Sequence, residues 1–348
     1  MPNQHHPHAH RAPQHGDNRY RQYAPCPQLA AYVLCYWSMG THAQPDTALE
    51  IVGQTPQKND GMTRNISGRV AKDDEYGPQH LPRVRVVPDG CLDAVFDPQG
   101  VIAPLGMRSS GPGVMLSGIM QQGTVIGFTG PGTVFGIRFR PAGAGVFLNL
   151  HLQETAGLRL DIADVLPELA ARLEDTLLVA PQGMQAVVCH MEQALLQRLP
   201  NIRPSSDSSA TFANSATFAS SAKFNNFGIS DLPRAAVSLM AQTGGTLDIA
   251  TAASHLGIST RQLERSFAHH VGLSPKQFCR ILRLHKALGL LRANPAVVCW
   301  SHVAAECGFA DQSHLVREMQ SLFGLTPSAL QREHEHVAFI QYAMPDLR

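Results

Sequence analysis

The stretch "AECGFADQSHLVREMQSLFGLTP", Ala305–Pro327, resembles an earlier one in the same chain, "SHLGISTRQLERSFAHHVGLSP", Ser254–Pro275. With Ser259 set against Asp311, an offset of 52, Leu263 meets Leu315, Arg265 meets Arg317 and Phe267 meets Met319. Gly272-Leu273-Ser274-Pro275 then meets Gly324-Leu325-Thr326-Pro327. Upstream the offset is 51, Gly257 against Gly308, so the second turn carries one extra residue. A supersecondary unit is repeated.

Each copy is punctuated as a helix-turn-helix. A short helix, "DIATAASHL" or "SHVAAEC", ends at Gly257 or Gly308, where a positive φ costs least. An apolar residue, Ile258 or Phe309, can plug the angle, and Ser259 or Asp311 can cap the next helix. At 100° per residue Leu263, Phe267 and His270 form one stripe of the first copy, and Leu315, Met319 and Leu322 one stripe of the second. In the first copy Thr260 sits at the cap and Arg261 and Arg265 point outward, flanked by Glu264 and Ala268; in the second Ser313, Arg317 and Gln320 face outward, with Gln312 and His314 in the first turn. Such a set suits base edges and phosphates in a major groove. For one helix it would read as an ordinary solvated face; the same cap, turn and arginine placement in two copies favours the groove.

The connector "SPKQFCRILRLHKALGLLRANP" starts with Pro at a helix N-terminus and stops before Asn294-Pro295. Phe278, Ile281, Leu282, His285 and Leu288 give it a core stripe, which predicts a rigid strut between two readers. Successive major grooves on one DNA face lie about 34 Å apart. Leu232–Glu333 holds ten basic residues against six acidic ones, the local bias that phosphate contact needs.

These residues resemble the DNA-binding domain of AraC/XylS-type transcription regulators over about 100 residues, in "LGISTRQLERSF", "GLSPKQF" and "AAECGFADQSHLVREMQSLFGLTP". Leu315 and Met319 stand where that family usually has phenylalanine, which implies a looser second-unit core, and Val316 replaces a small polar residue. The resemblance implies duplex DNA as a partner and a bacterial cytoplasmic, nucleoid-associated location. It also adds a small-molecule effector, RNA polymerase and a second copy of the chain as expected partners.

Ahead of this domain the text changes character. "RVRVV", "CLDAVF", "VMLSGIM", "GTVIGFT" and "GTVFGIRFR" are short β-prone runs separated by "PDG", "DPQG" and "GPG" turns. "LPELAARLEDTLL" and "MQAVVCHMEQALLQRL" follow with helical spacing. Segments "PCPQLAAYVLCYWS", "VPDGCLDAVF" and "GIRFRPAGA" are similar to a domain found ahead of such regulators, over roughly Pro25–Leu178. The expectation is an α+β chain: a mostly β front domain with trailing helices, then an all-α domain of two helix-turn-helix units joined by a long helix. Residues 1–22 read as a disordered His-rich tail and 23–200 as a sensor or dimerisation domain with an insertion at about 41–80. Residues 201–231, with a Ser-Ala-Thr/Lys-Phe unit at Ser209, Ser215 and Ser221, read as a linker, and 334–348 as a tail.

In the front domain Arg138 and Arg140 share a strand face by period two and could hold an anionic effector; the alternative is pairing with Asp89 and Asp93. The competing class is a metal-dependent or cysteine-based enzyme domain. Leu81–Arg140 contains no histidine for a facial ligand set, and Cys91 has no evident histidine partner. The seven cysteines are scattered without a C-x-x-C, which predicts neither a disulfide framework nor a thiolate zinc site and fits a reducing cytosol. His5, His6, His8 and His10 read as part of a disordered or tag-like tail. "MPNQHHPHAHRAPQHG" lacks the apolar run of a signal peptide, and no apolar run reaches the roughly 20 residues of a membrane span. No cofactor, no metal, no membrane and no catalytic activity are expected.

Overall fold

A computed structural model describes residues 20–41, 83–105, 107–109, 111–148, 150–180, 183–199, 232–293, 299–333 and 338–340. The His tract, the expected insertion and the expected linker lie outside them, save for Thr41 at the insertion's edge.

The front domain opens with strands β1 (Tyr20–Tyr23), β2 (Val33–Gly40), β3 (Arg83–Val86), β4 (Leu92–Asp97) and β5 (Ile102–Pro104). Strands β6 (Gly113–Ser117), β7 (Thr124–Phe128) and β8 (Thr133–Phe139) follow, then helix α1 (Gly145–Leu148) and a 3-10 turn at Leu152–Thr155. Strand β9 (Arg159–Asp161) and helices α2 (Ile162–Val165), α3 (Pro167–Val179) and α4 (Met184–Leu196) complete it. Tyr20, Arg21 and Gln22, expected in the disordered tail, instead form β1: Tyr20–Tyr23 pairs antiparallel with Tyr36–Met39.

One sheet has the order β1-β2-β8-β4-β6-β9. The other has β3, β7 and β5 in sequence, with strand β10 (Ala338–Ile340) added parallel to β3. So the expected C-terminal tail returns to the front domain's sheet. Period-two alternation splits the six-stranded sheet between two cores. Cys35, Trp37, Met39, Val95 and Val134 face the second sheet and meet Val84, Ile102 and Phe128. Tyr36, Phe96, Phe135, Ile137 and Phe139 face the helices. Phe96 and Phe135 are cross-strand partners with rings stacked at 5.3 Å. Gly136 is required opposite Trp37, since a Cβ there would lie 2.5 Å from the indole.

The C-terminal domain is α5 (Leu232–Gln242), α6 (Ile249–His255), α7 (Thr260–His270), α8 (Pro275–Ala293), α9 (Trp300–Glu306), α10 (Gln312–Phe323) and α11 (Pro327–Glu333). Two helix pairs, α6–α7 and α9–α10, flank α8, whose 19 residues span roughly 28 Å. The architecture is α+β, a β-rich front followed by helices. No helix among the described residues is long and apolar enough to cross a membrane.

The two domains share one buried cluster that runs from Phe96 and Phe139 through Phe278 and Phe267 to Leu315 and Phe323. Phe278 and His285, on the core stripe of the connector, meet the front domain: Phe278 packs on Gly90, and His285 reaches the Pro88 carbonyl at 2.6 Å. Gly272, in the turn after α7, lies against Ile119 and Leu152. Gly123 donates its N–H to the Leu322 carbonyl at 2.7 Å, and Arg85 donates to the Phe323 carbonyl at 3.2 Å. Both helix-turn-helix units therefore rest on the front domain.

Candidate nucleic-acid interface

The two candidate readers, α7 and α10, are built by the same local chemistry. Asp248 caps α6 by accepting from the Ala250 and Thr251 N–H groups at 3.0 and 3.1 Å. Gly257 then takes φ +68° and Gly308, at the matching turn, +73°. Ser259 and Gln262 form a reciprocal capping box on α7, with the Ser259 N–H donating to Gln262 Oε1 at 2.9 Å. Asp311 caps α10, accepting from the His314 N–H at 2.6 Å. A lost cap of this kind costs about 1 kcal/mol, so each turn geometry is held independently.

The inward stripes fall where the periodicity puts them. Leu263 and Phe267 are fully buried, and so are Leu315 and Met319, with Leu322 buried beside them. The replacement of phenylalanine by Leu315 and Met319 leaves no exposure in the second unit's core. His270 is half-buried at the edge of the first stripe. On the opposite faces Thr260, Arg261, Glu264, Arg265, Gln312, Ser313, Arg317 and Gln320 are all exposed. Arg261, Arg265 and Arg317 have no side-chain partner among the described residues.

His314 differs from the other expected contacts. Its Nδ1 accepts the Ala310 N–H at 3.3 Å, its Nε2 lies 3.5 Å from Glu318, and its ring stands edge-on to Phe309. It is held within its own unit.

The basic residues of the strut divide by use. Arg280, Arg283 and Lys286, counted from sequence among the cations available to phosphate, make hydrogen bonds to the α9–α10 unit instead. Arg280 Nε donates to Glu318 Oε2 at 2.6 Å, Arg283 Nη1 to the Gly308 carbonyl at 2.9 Å and Lys286 Nζ to the Glu306 carbonyl at 2.7 Å. Arg234 lies 4.8 Å over the Tyr32 ring of the front domain. Sequence offered one signal for this: the acceptor Glu318 and the ring of Phe309 have no counterpart in the first copy, where Ser266 and Ile258 stand.

In the front domain Arg138 takes the acidic partners that the sequence offered as the alternative to an anionic effector. Register sets Arg138 directly opposite Asp93. The guanidinium is buried and ion-paired to Asp89, with Asp93 at 3.7 Å. Asp93 also accepts from the Trp37 indole at 3.0 Å, and burial nevertheless pushes its carboxyl above the ordinary range. Arg140 lies just past β8 and donates Nε to the Ala30 carbonyl at 2.8 Å. Among the described residues the two side chains thus have different partners, acids for Arg138 and a backbone carbonyl for Arg140. Burial, followed by the charge of Asp89, drives the Cys91 thiol well above its usual range, which disfavours the thiolate a nucleophile needs. Among the described residues no group of three or more His, Cys, Asp and Glu is placed to hold a metal ion.

Residues 252–333 match the family described as "Helix-turn-helix domain", and residues 70–161 the family described as "Domain of unknown function (DUF6597)". The chain is similar to the HTH-type transcriptional activator RhaS of Escherichia fergusonii, 36% identical over 80 residues that cover 23% of this chain and 28% of that protein. It is also similar to a probable thc operon regulatory protein of Rhodococcus erythropolis, 33% identical over 91 residues, 26% and 27% of the two chains. It thus spans less than a third of the length of these curated relatives. Among solved structures, it is similar to a probable AraC family transcriptional regulator from Rhodopseudomonas palustris CGA009, at 28% identity and TM-score 0.25, over 28% of this chain and 92% of that one. ToxT from Vibrio cholerae, solved with an unsaturated fatty acid bound, aligns at 11% identity and TM-score 0.35 over 72% of this chain and 94% of its own. The helical C-terminal segment thus carries a helix-turn-helix domain similar to those of bacterial transcription regulators, behind a segment that matches a family without assigned function.

Proposed function

We propose that this chain is a sequence-specific DNA-binding transcription regulator that reads two successive major grooves on one face of a duplex. The observation that carries the reading is the pair α7 and α10. Each has a capped N-terminus and a buried apolar inward stripe, and each presents exposed arginine without a partner among the described residues, on either side of one strut. A solvated helix needs none of this duplication. Exposed guanidinium groups at such positions supply both counterion release at phosphates and bidentate contact with guanine. The base contacts are assigned to Thr260, Arg261, Glu264 and Arg265 in one groove, and to Gln312, Ser313, Arg317 and Gln320 in the next, with His314 orienting the second helix rather than reading.

The front domain is the input module. Its surface meets both units, so a small-molecule effector or a second copy of the chain bound there can bias how the readers are held. The protein acts on the nucleoid in the bacterial cytoplasm, with RNA polymerase as its eventual partner.

Selection of bound duplexes by the full chain, followed by footprinting, tests the reading. Protection of two major grooves about one helical turn apart is expected, with affinity falling steeply as salt rises. Absent binding, or binding indifferent to salt and sequence, overturns it.

A further inference from the structure

The cations Arg280, Arg283 and Lys286 recur every third residue along α8, and each ends on a different part of the second unit. Lys286 closes the C-terminus of α9, where free carbonyls favour a positive charge: its Nζ is 2.7 Å from the Glu306 carbonyl and 3.9 Å from the Glu306 carboxylate. Arg283 holds the turn itself. It donates to the Gly308 carbonyl at 2.9 Å while its guanidinium lies 5.0 Å from the centre of the Phe309 ring, the plug between α9 and α10. Arg280 holds α10, bonding Glu318 at 2.6 Å, and the other Glu318 oxygen lies 3.5 Å from His314 on the preceding turn. Glu318 is the immediate neighbour of Arg317, so this bond ties the second unit to the strut close to its outward face.

Three attachment points on separate segments determine the orientation of a rigid body. Among the described residues the first unit shows no such set. At the matched positions it carries His255 and Ser266 in place of the two glutamates, and the aliphatic Ile258 in place of the Phe309 ring. It is joined to the strut through the short turn Val271–Ser274 and braced by Ile119 and Leu152 of the front domain.

We propose that Arg280, Arg283 and Lys286 are positioning residues that set the rotation and distance between the two readers, and thereby the half-site spacing that the protein accepts. This rests on α7 and α10 being the DNA readers. One base pair added between half-sites turns the second groove by about 35° and moves it by about 3.4 Å. A second unit held at three points cannot follow that displacement, whereas a loosened one can.

The test uses the full chain and a duplex library in which two selected half-sites are separated by every spacer over one helical turn. The wild type is expected to enrich one spacing. In Arg283→Met and in the near-isosteric Glu318→Gln, the preference for that spacing over its one-base-pair neighbours falls about tenfold, the scale of one charge-assisted hydrogen bond. Base preference within each half-site is unchanged. Arg283→Lys keeps the charge but not the planar fork, and it recovers only part of the selectivity. If both variants keep the wild-type spacing profile, or lose base preference in the second half-site together with spacing, the positioning role is overturned. A wild type that selects no duplex refutes instead the DNA-reading assignment beneath it.

Discussion

The imidazole Nε2 of His285 lies 2.6 Å from the carbonyl oxygen of Pro88, across the boundary between the two domains. A carbonyl can only accept, so Nε2 carries the proton. The same ring stands edge-on to Phe323, 6.0 Å between centroids, and Arg85 of the front domain donates to the Phe323 carbonyl. The strut, the front domain and the end of the second reader thus meet around one histidine.

Replacing that donor leaves the Pro88 carbonyl buried without it. His285→Leu is expected to destabilise the chain by about 1–3 kcal/mol, and His285→Gln, which can still donate, by less. Equilibrium denaturation read out by both domains checks this. Equal losses in the two variants would mean that the ring matters for its shape alone.

A larger effect belongs to Arg138. It is buried between Asp89 and Asp93, and removing it leaves carboxylates buried without their counter-charge. Arg138→Met should cost about 3–5 kcal/mol at neutral pH. The penalty should shrink on acidification, as the Asp93 carboxyl, already pushed up by burial, takes up its proton. Denaturation of the variant at neutral and acidic pH decides the matter. A variant of wild-type stability that has lost only an anion response would restore the effector role that the ion pairs argue against.

Why the helical domain was legible in sequence and the domain boundary was not follows from the range of the interactions. Ser259 with Gln262, Asp311 with His314, and the positive φ at Gly257 and Gly308 are all settled within a few residues, so caps and turns could be read directly. The outward positions of Arg261, Arg265 and Arg317 follow from helical period alone. The strands at "RVRVV" and "GTVFGIRFR" declared themselves by β-branched and aromatic residues. Strand β1, "YRQY", and the three-residue strands β5, β9 and β10 did not, because partners distant in sequence make them strands. The same limit hid Arg280 and Arg283, whose acceptors Glu318 and Gly308 lie 38 and 25 residues away. A cation on an amphipathic helix looks the same from sequence whether it meets phosphate or a neighbouring helix.

The contact between the front domain and the first reader is expected to weaken in acid. His151, just before the 3-10 turn, and His269, in the last turn of α7, face each other with Nδ1 atoms 2.9 Å apart, and His270 stacks edge-on beside His269. One Nδ1 must donate and the other accept, so the pair shares a single proton. Burial first, and then the neighbouring histidines, lowers the pKa of both His269 and His270. A histidine with a folded-state pKa below its unfolded value of about 6.5 binds more protons when unfolded. Its contribution to stability is therefore complete above about pH 6.5 and is lost as pH falls towards the folded-state value. The wild-type Tm should be flat from about pH 7 to 8 and drop below about pH 6.5, and His269→Gln should flatten that drop. An unchanged acid slope in the variant would show that the titration lies elsewhere.

On the proposed reading the two readers address different half-sites, so mutation should separate them. Arg261→Ala and Arg265→Ala are expected to relax sequence preference in the half-site under α7 and leave the other half unchanged. Arg317→Ala should do the reverse, one helical turn away. Each lost base contact should cost about 1–3 kcal/mol at its own position, whereas a lost phosphate contact weakens all sequences alike and lowers the salt slope by about one. His314→Ala provides an internal comparison. Its ring is tied to Ala310 and Glu318, so the substitution should blur the whole second half-site rather than one base pair within it. Binding to a library of single-base variants of the selected site, measured at two salt concentrations, separates these outcomes. If the three arginine variants lose affinity uniformly across the library and each reduces the salt slope, the arginines touch only phosphate, and base reading falls to Thr260, Glu264, Gln312, Ser313 and Gln320.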